Sequence, residues 1–494
     1  MKQMLFTFLI FLSLCFDCAA QQTEPTIAFT NATVIDMTKE KSQRAMTVVI
    51  NGNRILQIGR HNRVKIPYGA KIVDATGKFL IPGLWDMHVH FWDANVFYPI
   101  ALANGVTGVR DMGDDLKSLV AYRNQSRNGT RLAPGLYFSG QIIDHFRREN
   151  LPFLFDYAET PENARELVRR RKSNGADFVK IYSYLTPEIF EAVADESKLQ
   201  KIPFAGHVPI AVGALRAALA GQRSFEHLTG VALSCADDEN ERTRRANEML
   251  SEIRKLDSQR SAAVGNRAQE LMQQAFNLSG QVRRLAHEEA LDVYDSRKAE
   301  KLFAVFRRNK TWQVPTLSVG GGNALSPDAD KQAAERLQYF PNFVRGLIRQ
   351  PEDVAPARLA QSKKRFEVML QIVRQMHRAK VPILAGSDAP NPNSYPGFSL
   401  HDELVFLVRA GLSPFESLAT ATRNAAEFMG KLNETGTIEP GKLADLVLLD
   451  ADPLADIRNT RKIRAVVASG RLLERADLDR TLAEAARKYA AQTK

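Results

Sequence analysis

Between residues 79 and 388 the chain alternates short apolar, β-favouring runs with longer stretches of helical periodicity, a pattern that predicts repeated strand-helix units. The strand candidates are Phe79 to Phe91, Gly105 to Met112, Gly135 to Ile143, Phe178 to Ser183, Ile202 to His207, Arg223 to His227, Thr311 to Val319 and Val381 to Asp388. Eight such runs predict an α/β fold in which a parallel sheet closes into a (β/α)8 barrel. Helices are expected over Thr186 to Leu199, opened by Thr186-Pro187, and over Ser413 to Met429, opened by Ser413-Pro414-Phe415-Glu416. In both, a capping side chain precedes a proline at the first helical position.

Outside this region the pattern changes. Thr33 to Asp36, Thr47 to Ile50, Arg54 to Ile58 and Lys71 to Asp74 read as strands before the barrel, and Asp445 to Leu449 and Ala465 to Ala468 read as strands after it. The two ends therefore predict one small β-sandwich domain built from residues 25–78 and 432–475, with the barrel inserted over 79–431. Residues 237–308 are charged and helix-favouring and too long for a simple connection. They predict a helical insertion beside the carboxyl end of the sixth strand, where it would wall or cover the barrel mouth. An amphipathic helix is expected over 476–494.

The first twenty residues combine Lys2, an apolar run from Met4 to Leu14 and the small residues Cys18-Ala19-Ala20. This order predicts a signal peptide over 1–20 and a secreted or periplasmic protein, with no stable membrane span once the signal is cleaved. Cys15 and Cys18 would leave with the signal, so the mature chain keeps Cys235 alone and forms no internal disulfide. Six Asn-x-Ser/Thr sites matter only in a host that glycosylates exported proteins. The net charge is +11, but the basic residues are interleaved with acids along helical stretches and no aromatic-basic cluster accompanies them. That predicts a solvated basic surface and no nucleic-acid partner.

The chemistry concentrates at the ends of the apolar runs. His88 and His90 stand at i and i+2 on a strand, so both face one target, and imidazole is the commonest protein ligand for divalent metals. Lys180, His207, His227 and Asp388 each close another strand candidate. In a parallel barrel those ends share one rim. His145 follows the third strand and is a candidate to reach a substrate carbonyl; Tyr182, two residues after Lys180, is a candidate to line the pocket. Arg110 and Asp111 are expected to form an ion pair at the rim. His401 is expected at a helix start in a structural role, and His61, His287 and His377 carry no motif.

The chain resembles a metal-dependent amidohydrolase of the imidazolonepropionase-like and Xaa-Pro dipeptidase-like branch. The matching segments are Ile81-Pro82-Gly83-Leu84-Trp85-Asp86-Met87-His88-Val89-His90, Gly105 to Asp111, Phe178 to Tyr182, Gly206-His207, Glu226-His227, Gly386-Ser387-Asp388 and Gly436 to Val447. The resemblance implies two divalent metal ions, zinc in the first instance, one held by His88, His90 and Asp388 and the other by His207 and His227. It further implies an N-carboxylated Lys180 serving both, and Asp388 shuttling a proton as a metal-bridging hydroxide attacks an amide. The expected partner is a small-molecule or dipeptide-like substrate, and a homo-oligomer is compatible with the chain. Two alternatives stand beside this reading: a mononuclear deaminase or cyclic-amide hydrolase, and a catalytically silent binding protein on the same fold.

Overall fold

The structure, a computed structural model, describes residues 26–146, 153–321, 335–346, 355–392 and 394–490. The stretch 1–20 expected to be a signal peptide, with Cys15 and Cys18, lies outside the described residues. Cys235 is buried, and burial pushes its thiol up to about 12, which suits a packing role better than a reactive one.

Two strand systems make up the fold. The first is a mainly antiparallel sheet from both ends of the chain, with Thr26–Val34, Gln43–Asn51 and Arg54–Arg60 on one side and Leu446–Leu449, Ile463–Ala468 and Arg471–Glu474 on the other. The strand Phe79–Pro82 joins the halves: it runs parallel to Thr26–Val34 and antiparallel to Leu446–Leu449. This differs from the expectation that the first barrel strand begins at Phe79. The terminal sheet holds Phe79–Pro82 by hydrogen bonding, and the barrel strand Leu84–Val89 starts only after Gly83. Inward residues such as Phe29, Val48, Leu80, Leu446 and Val467 form this sheet's own core.

The second system is the barrel. Leu84–Val89, Val106–Asp111 and Gly135–Phe138 pair in parallel, as do Val179–Ile181, Phe204–Gly206, Ser224–Glu226 and Trp312–Val314. Backbone hydrogen bonds close the ring at both seams. The Asp177 amide donates to Phe138 O at 2.8 Å. Segment 383–389 bridges Trp312–Val314 on one side and Leu84–Val89 on the other, through Gln313↔Ile383 and Val89↔Ala389. These eight segments are the staves of the barrel, and Trp85, Tyr137, Phe178, Trp312 and Leu384 from different staves fill its interior.

Some boundaries depart from the expected ones. The third strand is interrupted, and Ile142–Asp144 lies beside Val179–Ile181 as a separate short strand with Phe155–Tyr157 outside it. The seventh ends at Val314 and gives way to the helix Leu317–Gly321 rather than continuing to Val319. Both helix starts match: Thr186 accepts from Ile189 N, and Ser413 forms a full capping box with Glu416. Within 237–308, helices Glu239–Ser261 and Asn266–Arg283 form an antiparallel pair, whereas Ser296–Asn309 packs against Ala214–Leu219 and Pro356–Arg378 as an outer barrel helix. The terminal helix spans Arg475–Ala490 and packs on Ala94–Ala103. No helix among the described residues is long and apolar enough to cross a membrane.

Candidate active site

Because the staves run parallel, their carboxyl ends deliver side chains to one rim. His88, His227 and Asp388 have ligand atoms within 4.8 Å of one another. Asp388 Oδ1 lies 3.3 Å from His88 Nε2 and 3.6 Å from His90 Nε2. The His227 ring sits 4.5 Å from that of His88 and 4.9 Å from that of His207, so the four imidazoles form one continuous group. Tyr182 stacks on His207 at 4.0 Å. Lys180 is on the adjacent stave, fully buried, and Gly206 beside it has no room for a Cβ, which would stand 2.2 Å from Ile181 O and 2.9 Å from Lys180 Cδ. The close approach of those two staves therefore requires glycine there.

Each imidazole is held through Nδ1. His88 Nδ1 donates to Glu226 Oε2 at 2.8 Å, and His90 Nδ1 donates to Gly113 O at 3.1 Å. His227 Nδ1 meets Thr316 Oγ1 at 2.7 Å; that hydroxyl donates to Pro315 O, so it accepts from the ring. His207 Nδ1 pairs with Ser183 Oγ at 2.8 Å. For His88, His90 and His227, committing Nδ1 as donor leaves Nε2 with its lone pair directed into the shared space, as in histidine metal sites.

Electrostatics favour the neutral, ligating form of the imidazoles. Burial, reinforced by the Lys180 charge, holds His88 and His227 well below the ordinary histidine range and brings His90 down to about 4, so the rings are neutral at pH 7. Burial pushes Lys180 down to about 8, which leaves part of its amine neutral and nucleophilic near neutral pH. Two buried nitrogens, His88 Nε2 and Lys180 Nζ, have no hydrogen-bond partner among the described residues. Buried polar atoms left unmatched are rare, and two at the centre of a neutral imidazole cluster with a carboxylate fit a site built for cations.

Four residues at the site also adopt left-handed backbone geometry. His227, Leu228, Thr316 and Asp388 are non-glycine residues with positive φ, at 58°, 55°, 46° and 56°. Each such residue costs about 1–2 kcal/mol, and such strain clusters where a side chain must be aimed.

The remaining candidates separate. His145 is half-buried with Nδ1 donating to Ala158 O at 2.7 Å, beyond the end of Ile142–Asp144. His401 lies in the first half of the helix Phe398–Arg409, buried, tied to Thr460 and to Asn104 O, in a structural position as expected. Arg110 corrects the reading. It does not pair with Asp111 at the rim: adjacent strand residues face opposite sides, and Arg110 points inward to a 2.8 Å ion pair with Glu226, both fully buried. Asp111 instead accepts from Phe91 N and Gly113 N. The sequence assigned no role to Glu226, Thr316 or Ser183, although Glu226 precedes His227 in a matching segment and Ser183 follows Tyr182. His287, which carries no motif, lies on the π-helical turn Arg284–Glu288 of the insertion; its Nδ1 is buried without a partner among the described residues, and burial brings its ring down to about 4, so it is neutral at pH 7. Tyr184 Oη donates to Ser279 O, which ties the insertion to the loop after the fourth stave.

The amidohydrolase family model matches residues 331–473. An imidazolonepropionase from Symbiobacterium thermophilum is 32% identical over 134 residues, 27% of this chain and 31% of the relative. Over that stretch the chain is similar to amidohydrolases. The matched stretch spans about a third of that relative's length. Among solved structures, a putative prolidase from Bifidobacterium longum superposes with a TM-score of 0.64 at 24% identity, covering 94% of this chain and 99% of its own. A Xaa-Pro dipeptidase with bound methionine gives 0.61 at 21% identity, covering 91% and 100%. Similarity at that level shows the fold, and the amidohydrolase fold is a TIM barrel with a small β domain, as the closed ring of staves and the terminal sheet indicate.

Proposed function

We propose that this amidohydrolase is an exported, metal-dependent enzyme that cleaves an amide bond in a peptide-like or acylated amino acid substrate. The observation that carries the reading is the meeting of four Nδ1-anchored imidazoles, Asp388 and a Lys180 amine without a hydrogen-bond partner among the described residues at one end of the barrel. In this reading His88, His90 and Asp388 hold one divalent ion, zinc in the first instance, and His207 and His227 hold a second. Lys180 joins its neutral amine to carbon dioxide, releases a proton and becomes an anionic carbamate suited to serve both. Bound there, the ions supply an activated water and positive charge for the substrate carbonyl.

The protein groups perform the rest. Asp388 takes the proton of the attacking water and passes it to the leaving nitrogen as the carbon-nitrogen bond breaks, so hydroxyl ends on the carbonyl carbon and hydrogen on the amine. Tyr182, stacked on His207, orients the substrate. The names of the structural relatives, a prolidase and a Xaa-Pro dipeptidase, support a dipeptide-like substrate. The order of basic, apolar and small residues over 1–20 supports export to a secreted or periplasmic location.

The test is turnover of a panel of dipeptides and N-acyl amino acids by the zinc-loaded chain, read as release of free amine. Activity that disappears with chelation and returns with metal is expected; a fully metallated, folded preparation inert across the panel would favour a silent binding protein. One bound metal with unmodified Lys180 would support the mononuclear deaminase or cyclic-amide reading.

A further inference from the structure

We infer that Arg110 is a positioning residue for metal capture, acting through Glu226 on the His88 imidazole. The inference deepens the metal-site reading and rests on it.

Arg110 lies on Val106–Asp111 and reaches across the barrel interior to staves one and six. Its Nε donates to Met87 O at 2.5 Å, Nη1 to Ser224 Oγ at 2.9 Å and Nη2 to Glu226 Oε2 at 2.8 Å. The Ser224 hydroxyl accepts from the guanidinium and donates to Glu226 Oε1 at 2.5 Å. Arg110, Ser224, Glu226 and His88 are all 0% exposed. Phe428 and Phe178 pack against the guanidinium at 5.0 and 5.7 Å from their ring centres. Both Glu226 oxygens are thereby fixed, and Oε2 is aimed at His88 Nδ1.

That aim decides what His88 can do. A carboxylate held by an arginine only accepts, so Nδ1 must carry the ring proton and Nε2 must present a lone pair. Arg110 also takes Glu226 as its ion partner, and Lys180, two staves from Glu226, is left with no hydrogen bond among the described residues. The division of labour is between a fixed cation that orients the imidazole and an amine left without a hydrogen bond at the site. A lysine at 110 would keep the charge but could not serve Met87 O, Ser224 and Glu226 from one ammonium in the same geometry.

The experiment measures zinc affinity by competition with a chromogenic chelator for the wild type, Glu226→Gln, Arg110→Lys and Arg110→Met. Leu418→Ala, a buried change away from the site, serves as a destabilised control. Glu226→Gln and Arg110→Met are expected to weaken zinc binding about 10–100-fold, with Arg110→Lys between them and the wild type and the control within about twofold. Cobalt-substituted spectra should shift in the three network variants alone, and nitrogen NMR of the metal-free wild type should find the His88 proton on Nδ1. Folded network variants that bind zinc as the wild type does, an equal loss in Leu418→Ala, or a proton on Nε2 would each overturn the inference. A wild type that binds no zinc would instead remove the metal-site reading on which it rests.

Discussion

Ser387 Oγ donates to Asp86 Oδ2 at 2.5 Å, joining the eighth stave to the first one residue before Asp388 and two before His88. Asp86 Oδ1 accepts from Ser387 N at 2.9 Å and from His88 N at 3.2 Å, so a single buried carboxyl sets the spacing between the two residues that approach most closely in the site. Burial raises Asp86 to about 6 against the pull of these donors. Ser387→Ala removes one donor without changing volume much and should cost about 1–3 kcal/mol, the penalty for a buried acceptor that loses its partner. Urea unfolding of the metal-free protein measures it, and a loss below about 0.5 kcal/mol would mean that the clamp is incidental.

Asp388→Asn keeps a ligating oxygen while removing the base. The expected result is a kcat lower by about 100-fold or more at saturating metal, with the folded structure retained. Steady-state kinetics with metal titration separates this from simple loss of the ion; full activity at high metal would show that Asp388 does not move the proton.

Lys180 should carry one carbon dioxide in the metal-loaded protein at pH 8. Native mass spectrometry should show the added mass, and acidification or Lys180→Arg should remove it. A metal-loaded, active protein of unmodified mass would rule out the carbamate.

His401 gives a pH signature independent of metal. Its ring is buried against Thr460 and Asn104, and burial lowers it to about 4 from the ordinary 6.5. The unfolded chain therefore binds this proton first as pH falls, and the associated stability, fully present above about 6.5, is lost progressively down to about 4. The contribution is of order 3 kcal/mol. Comparing urea unfolding of wild type and His401→Gln between pH 7 and 5 should show a shallower acid slope in the variant; identical slopes would contradict it.

The barrel and its rim were legible in the sequence because apolar runs ending in His88, Lys180, His207, His227 and Asp388 carry both the fold period and the chemistry. Phe79–Pro82 was misassigned because an apolar run does not reveal which of two adjacent sheets will hydrogen-bond to it. Arg110 and Glu226 escaped for a related reason: a charged residue near a strand end looks the same in sequence whether it reaches the rim or crosses the interior. Only the positions of Ser224 and His88 on other staves distinguish the two. His287 lies on an insertion whose helices fix its place by packing, which no local motif records.

The most direct test of the account is metal content. Purified protein dialysed against low free zinc and analysed by elemental mass spectrometry should hold about two equivalents per chain, as expected of a binuclear site. The double variant His88→Asn/His227→Asn should hold close to none. A folded wild-type chain that retains no divalent metal, or a double variant that retains the full amount, would contradict it.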